Sequence, residues 1–305
     1  MNIPSISFED GEQLMDWIEL TRAIIEGHRR PKAEVGDTFL YRGGDTVLSR
    51  AAWIDGMGIA VKTATVFPDN PSQGVPMING GVCLYSDTGG KLEALIDFHL
   101  ITKWKTAGDS LLGALLLAPK DAQHILIVGA GTVAASLIEA FGAGFPGAQI
   151  ALWNRTKASA EKLAFKHSGV QIASDLAEAV HKADIIITAT MSSDPVIRGD
   201  WLRPGQHLNL IGAYKPDMRE VDDATLRRAR LYVDSFETTI GHIGEIEIPL
   251  QSGVISRDDI LADYYQLDLF QRGGPHEITL FKNGGGAHLD LMTSRYVLTR
   301  WQSAQ

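Results

Sequence analysis

A chain of 305 residues with 45% hydrophobic and 21% charged residues, 31 Gly and 12 Pro has material for two cores and lacks the bias of disordered or fibrous chains. A formal net charge of −9, with no basic run longer than His28-Arg29-Arg30, argues against nucleic acid as a partner, because phosphate binding needs clustered Lys and Arg. One cysteine, Cys83, cannot form an internal disulfide; no apolar run suits a membrane helix, and the polar, acidic stretch 7–12 is unlike a signal peptide, so a cytoplasmic protein is expected.

After Ser7, the residues Leu14, Trp17, Ile18, Ile24 and Ile25 fall at helical spacing and predict an opening amphipathic helix that stops near Gly27. Over 38–100, β-rich stretches at 46–48, 58–66 and 81–85 are separated by Gly, Pro and Asn and predict a sheet. A helix over 102–118, carrying Leu111, Leu112, Leu115 and Leu116, leads into Pro119-Lys120-Asp121, which reads as a domain boundary. Beyond it, apolar strands at 124–128, 149–153, 184–190, 207–211 and 231–233 alternate with helical stretches, the pattern of a parallel, doubly wound sheet. A strand at 278–281, the cluster Gly284-Gly285-Gly286 and a helix over 289–299 close the chain.

The strongest motif is the apolar strand 124–128 running into Gly129-Ala130-Gly131-Thr132-Val133-Ala134 and then a helix to about 143. The first glycine permits a tight turn, the second lets a pyrophosphate approach the backbone, and the small third residue allows close helix–strand packing. The helix N-terminus then supplies amides and a favourable dipole. A glycine-rich structural turn is the plain alternative, but strand, turn, helix and next strand occur here in order. A Rossmann-type dinucleotide domain is therefore expected over 120–283. The second strand ends in Trp153-Asn154-Arg155-Thr156, without the carboxylate that usually accepts from an NAD ribose. Arg155 offers a fork to a 2′-phosphate, and Asn154 and Thr156 add neutral hydrogen-bonding groups. NADP(H) is the expected cofactor and NAD(H) the second; the other reading of Arg155 is a cap on a surface loop. Thr190 and Gly212, at the ends of the next two strands, complete the expected cofactor contacts.

The stretch 58–76, with Val61-Lys62, Phe67-Pro68 before Asn70 and Gly74-Val75-Pro76, resembles the ornithine cyclodeaminase and mu-crystallin family. So do the 102–107 run with Lys105-Thr106-Ala107, the Gly129 to Gly131 turn, Ile211-Gly212-Ala213 followed by Arg219-Glu220, His242-Ile243-Gly244-Glu245, and the segment from Phe281-Lys282 to Asp290. The resemblance runs collinearly through nearly the whole chain. It implies a Rossmann domain plus an α+β substrate domain built from 1–119 and 284–305, which dimerises through its sheet. It also implies chemistry on a C=N bond beside a carboxylate, and makes Lys62 the active-site lysine. The residues alone would favour a snorkelling lysine at a strand end.

Lys105 stands where many relatives carry arginine, so it keeps the charge and loses the fork, leaving carboxylate binding to share with Arg50 and Thr106. An arginine in an apolar strand is paired, and a structural salt bridge would satisfy Arg50 as well as a substrate would. Arg42 is a second candidate for the same place. Relatives that expel ammonia have Gly-Ala-Asp after the fourth strand of the Rossmann domain; here Tyr214 follows Gly212-Ala213, with Asp217 three residues on. The form Pro216-Asp217-Met218-Arg219-Glu220 looks like the branch that reduces preformed cyclic imines. Asp217 is either a surrogate acid/base or the capping residue of a turn. Asn283-Gly284-Gly285-Gly286 is either a close approach to the nicotinamide or a hinge. His242 and Glu245 lack further ligands at metal spacing, so no metal is expected.

The expected function is NAD(P)H-dependent reduction of a cyclic imino acid, Δ1-pyrroline-2-carboxylate to L-proline, with Δ1-piperideine-2-carboxylate as a further substrate. The rivals are an ornithine cyclodeaminase or alanine-dehydrogenase-type enzyme, and a non-catalytic NADPH-binding protein of the crystallin kind. The expected partners are the small imino acid and a second copy of the chain, with neither nucleic acid nor membrane.

Overall fold

Ser7 and Asp16 divide the amphipathic opening into two helices where the spacing predicts one. The Ser7 side chain accepts from the Asp10 amide and caps Phe8–Glu12, and Asp16 Oδ1 accepts from the Glu19 amide at 2.8 Å and caps Trp17–His28. The computed structural model describes residues 3–305. They fall into two compact units, residues 3–106 with Gly286–Gln305, and Ala107–Gly285. Among the described residues no helix is long and apolar enough to cross a membrane.

The first unit holds strands β1 (Ser5–Ile6), β2 (Glu34–Arg42), β3 (Asp45–Ile54), β4 (Gly58–Val66), β5 (Ile78–Tyr85) and β6 (Leu92–Asp97). They form one sheet in the order β1-β6-β5-β4-β3-β2, antiparallel except where β1 lies parallel to β6. The sequence shows β4 at full length and only the beginning of β3. It misses β2, whose nine residues are all exposed and so carry no apolar alternation. The helix Ala287–Ser303, longer at both ends than 289–299, packs on β3, β4 and the helix Trp17–His28. Gly27 makes that approach possible, since a Cβ there would lie 2.5 Å from Met292 Cγ.

The helix expected from 102 begins at Phe98, because Asp97 Oδ1 accepts from the Leu100 amide at 2.8 Å and caps it earlier. In its first half Trp104 stacks on Trp17, ring centroids 3.8 Å apart, and its indole donates to Glu12 at 2.7 Å. In its second half Asp109 O accepts from the Tyr264 hydroxyl at 2.9 Å, and Ser110 accepts from the Asn209 amide at 2.7 Å. The two units accordingly divide inside this helix, between Thr106 and Ala107, whereas the sequence places a boundary at its end by Pro119.

In the second unit β7 (His124–Val128), β8 (Gln149–Trp153), β9 (Gln171–Ile172), β10 (Ile185–Thr188), β11 (His207–Leu210), β12 (Ala229–Val233), β13 (Ile260–Ala262) and β14 (Ile278–Lys282) form an eight-stranded sheet. Its order is β13-β12-β14-β11-β10-β7-β8-β9, and every pairing is parallel. Leu126, Val128, Ile186, Leu208, Leu210, Leu231, Val233 and Leu280 are all buried, which is why these strands read as unbroken apolar runs. The chain leaves β7 for β8 on one side and reaches β10 on the other. Such a reversal of strand order is where α/β sheets bind ligands, at the strand C-termini.

Gly113 faces the ring of buried Phe281, and a Cβ there would come within 2.3 Å of Cδ1. Alanine favours a helix by about 1 kcal/mol over glycine, but overpacking a core ring costs about 1–3 kcal/mol. Gly113→Ala is therefore expected to lower stability in denaturant unfolding, and a gain would show that Phe281 has room to move.

Candidate active site

Gly129 has φ +123, and its amide donates to Trp153 O at 2.9 Å, tying the turn after β7 to the end of β8. A Cβ at this position would lie 2.5 Å from Ala189 O, so only glycine fits. Gly131 caps the helix Thr132–Gly144 without a side-chain hydrogen bond, and a Cβ there would meet open space. Ala134 is fully buried against the strand. The first amides of the helix at Thr132 and Val133 thus remain available to an anion. At the end of β8, Asn154 Nδ2 donates to Thr156 O at 2.9 Å and shapes the turn. Arg155 and Thr156 are exposed, and among the described residues none pairs with the Arg155 guanidinium. These features fit a dinucleotide held by its phosphates.

The next two loops are tied together by a buried carboxylate to which the sequence assigns no role. Glu220 accepts from the amide and hydroxyl of Thr190, at 2.8 and 2.7 Å, and from the amides of Gly212 and Ala213, at 2.7 and 3.2 Å. The Thr190 hydroxyl is therefore already committed. A Cβ at Gly212 would lie 2.0 Å from Thr190 O, so the two loops meet backbone to backbone. Glu245 in turn accepts from the amides of Glu220 and Val221, at 2.6 and 3.2 Å. Lys282, also fully buried, places its three protons on the carbonyls of Leu210, Ala213 and Asn283. Glu245 before Ile246 and Lys282 at the end of the apolar run 278–281 are the signal that the sequence offers for this network, whereas Glu220 stands among charged residues and gives none. Glu245 is thus a structural carboxylate, and His242 beside it is exposed; among the described residues no three side chains are grouped to hold a metal.

Tyr214 is exposed, with the Lys215 ammonium 5.5 Å from its ring centroid. Asp217 is exposed on the turn closed by the Met218 amide on Lys215 O.

In the first unit the sheet register sets Asp37, Arg50 and Lys62 in line across β2, β3 and β4. Arg50 gives Nε and Nη2 to Asp37, the shortest contact being 2.9 Å. Lys62 is only 7% exposed; its ammonium donates to Asp290 Oδ1 at 2.9 Å and lies 4.7 Å from the Phe98 ring centroid. Burial lowers the Lys62 pKa and Asp290 opposes that, while Lys105 and Arg50 add to it. Burial would raise the Asp290 carboxyl, but Lys62, Lys105 and Arg50 hold it below the usual range. His288 is buried too, its pKa lowered to about 4 by burial and by Lys105, so the ring is neutral at pH 7. Arg50, Lys62 and Lys105 thus form one cationic group with Asp290 as its buried counter-ion, and half-buried Thr106 adjoins Lys105. Arg42 stands at the far end of β2, exposed and paired with Asp45.

A family model described as the ornithine cyclodeaminase/mu-crystallin family matches residues 51–305. In sequence, the Δ1-pyrroline-2-carboxylate reductase of Paracoccus denitrificans is 46% identical over 300 residues, covering 96% of this chain and 95% of its own. The ketimine reductase mu-crystallin of Mus musculus is 35% identical, covering 81% and 77%. In structure, the Δ1-pyrroline-2-carboxylate reductase of Thermococcus litoralis, solved with NADH and L-proline, matches 99% of this chain and 98% of its own with a TM-score of 0.89 at 27% identity. An archaeal alanine dehydrogenase dimer with bound NAD matches 100% and 97% with a TM-score of 0.89 at 26% identity.

Burial and the neighbouring Glu220 push the Glu245 carboxyl up to about 7 from an ordinary 4.5, against the pull of Lys282. The folded protein then keeps a proton that the unfolded chain releases, so this contribution to stability is present below about 4.5 and lost as pH rises towards 7. Glu245→Gln has no such proton. Its stability relative to the parent should rise by about 2–3 kcal/mol across that window in denaturant titrations at fixed pH; a flat difference would mean that the carboxyl titrates normally.

Proposed function

The chain belongs to the ornithine cyclodeaminase/mu-crystallin family, and on that premise we propose that it is an NAD(P)H-dependent oxidoreductase of CH–NH bonds that reduces Δ1-pyrroline-2-carboxylate to L-proline. Δ1-Piperideine-2-carboxylate, giving L-pipecolate, is its second substrate. The observation that carries this reading is the row of Arg50 and Lys62 with Lys105 beside it, in a chain 46% identical to a reductase of that imine. A C=N bond beside a carboxylate needs fixed positive charge for the anion and a group that holds a proton at nitrogen.

Lys105, Thr106 and Arg50 bind the carboxylate. Because Asp37 occupies Nε and Nη2 of Arg50, Nη1 is the guanidinium group left for it. Lys62 holds the proton at the ring nitrogen. A reduced nicotinamide, when bound, supplies the hydride that reaches the imine carbon, and the C=N electron pair then rests on the protonated nitrogen as an amine. Gly129, Ala130, Gly131, Thr132 and Val133 hold the pyrophosphate, and Thr190 and Gly212 shape the neighbouring loops. Asp217 is the remaining carboxylate candidate near Gly212-Ala213, where Tyr214 offers none, and this lack disfavours ammonia expulsion from ornithine.

Asn154, Arg155 and Thr156, with no carboxylate among them, support NADP(H) as the preferred cofactor and NAD(H) as the second. Exposed Val35, Phe39, Leu40 and Tyr41 on the edge strand β2 support a homodimer in which a second copy covers that edge. A cytoplasmic setting goes with this reading.

With Δ1-pyrroline-2-carboxylate the purified protein is expected to oxidise NADPH faster than NADH, and ornithine with NAD should release no ammonia; ammonia release would make the chain a cyclodeaminase. Arg155→Ala should raise KM for NADPH by about tenfold or more and leave that for NADH within about twofold, as the loss of one charge-assisted phosphate contact implies. An equal loss for both cofactors would remove the assigned role. Lys62→Ala should lower kcat by about 10²–10⁴ without weakening NADPH binding, whereas near-normal turnover would take Lys62 out of the site.

A further inference from the structure

Lys62 projects from β4 towards the helix Ala287–Ser303, where it is held by Asp290, itself 1% exposed. The other charged groups that act on Lys62 are Arg50 on β3 and Lys105 on the helix Phe98–Leu117, and both are cations. Asp37, the carboxylate on β2, is engaged by Arg50. Phe98 forms an apolar wall beside the ammonium, and His288, which precedes Asp290 by two residues, is buried and neutral. An ammonium buried among cations gives up its proton readily unless an anion is fixed beside it. Asp290 is suited to be that anion. It sits in the first turn of its helix, where the dipole favours a carboxylate, and three cations surround it.

We propose that Asp290 is the positioning residue for Lys62: its carboxylate keeps the ammonium protonated and aimed, and so sets the alkaline limit of imine reduction. The inference rests on the reading that Lys62 holds the imine proton. As hydride from the reduced nicotinamide adds to the imine carbon, Lys62 gives one proton to the ring nitrogen and becomes a neutral amine. It regains a proton from water, while Asp290 stays a carboxylate throughout and does not itself touch the substrate. A carboxylate that served only to pin the helix to the sheet would leave the pH profile of the reaction where it was.

The test is the Asp290→Asn enzyme, assayed for kcat from about pH 6 to pH 10 with saturating imine and NADPH. Removing the carboxylate removes support for the charged ammonium, so the alkaline limb should move down by about one unit or more, and the loss of kcat should be at least about tenfold greater at the alkaline end than at the acid end. A uniform loss at every pH with an unmoved limb would overturn the proposal. Lysine side-chain NMR of the full chain reads the same property without turnover, with the Lys62 signal identified by its loss in Lys62→Met. The Lys62 titration should fall in Asp290→Asn, and an unchanged midpoint would overturn the assignment. Should that variant not fold, Asp290→Glu keeps the charge and is expected to keep the midpoint; a midpoint lowered by a unit or more would count against Asp290 as the supporting anion. If the parent enzyme reduces no imine, the functional reading falls by that result alone, and the NMR titration still decides the role of Asp290.

Discussion

An ammonium buried in the face of a β-sheet costs several kcal/mol unless an anion meets it with good geometry, and the first unit is arranged around meeting that demand for Lys62. The anion comes from the far end of the sequence, 228 residues away. For Asp290 to reach β4, the chain must return after completing the second unit and lay the helix Ala287–Ser303 on β3 and β4. The assembly of this unit from both chain ends brings the buried ammonium its counter-ion, while Leu289, Leu291, Met292, Val297 and Leu298 of the same helix are buried with it. The same register that aligns Lys62 with Arg50 sets Asp37 behind Arg50, so the two neighbouring cations are flanked by one carboxylate on each side.

The second unit meets a related constraint by other means. Loops that leave β10 and β11 bring unpaired amides together, and buried amides need acceptors. Glu220 supplies two oxygens to four donors, Glu245 supports the Glu220 backbone, and buried Lys282 takes up three carbonyls. Buried titratable side chains thus serve in place of regular backbone pairing beyond the C-terminal ends of these strands. In the Gly129 to Gly131 turn the Gly129 amide pairs with Trp153 O, and the helix that follows leaves its first amides at Thr132 and Val133 without such a partner, available to an anion.

Where burial makes a pattern, the sequence was readable. β7 and β8 were legible to the residue, since each opens on one polar residue, His124 or Gln149, and is apolar from there to its end. Gly129 was legible because its positive φ and close approach to Ala189 O admit little else. Exposed β2 offered no pattern, and β9, of two residues, is too short to show one. Lys62 was found through family resemblance and not from its surroundings in sequence, since Asp290 is brought to it only by the tertiary fold. Glu220, Glu245 and Lys282 stand in quoted motifs, yet their roles depend on loops and strands that meet in space. Arg50 and Arg42 look alike in sequence; pairing across β3 and β4 sets one beside Lys62 and leaves the other at an exposed hairpin end.

The chemical account turns on charge being available for a carboxylate and a proton being available for nitrogen, with no carboxylate at Tyr214 to manage the expulsion of ammonia. Its most direct test follows the transferred atom: Δ1-pyrroline-2-carboxylate is incubated with the enzyme and NADPH carrying deuterium at nicotinamide C4, in separate samples for each face, and the product is analysed by NMR. The account predicts L-proline carrying one deuterium at C2 from one of the two labelled faces; proline formed without deuterium from either face, or no proline at all, would contradict it.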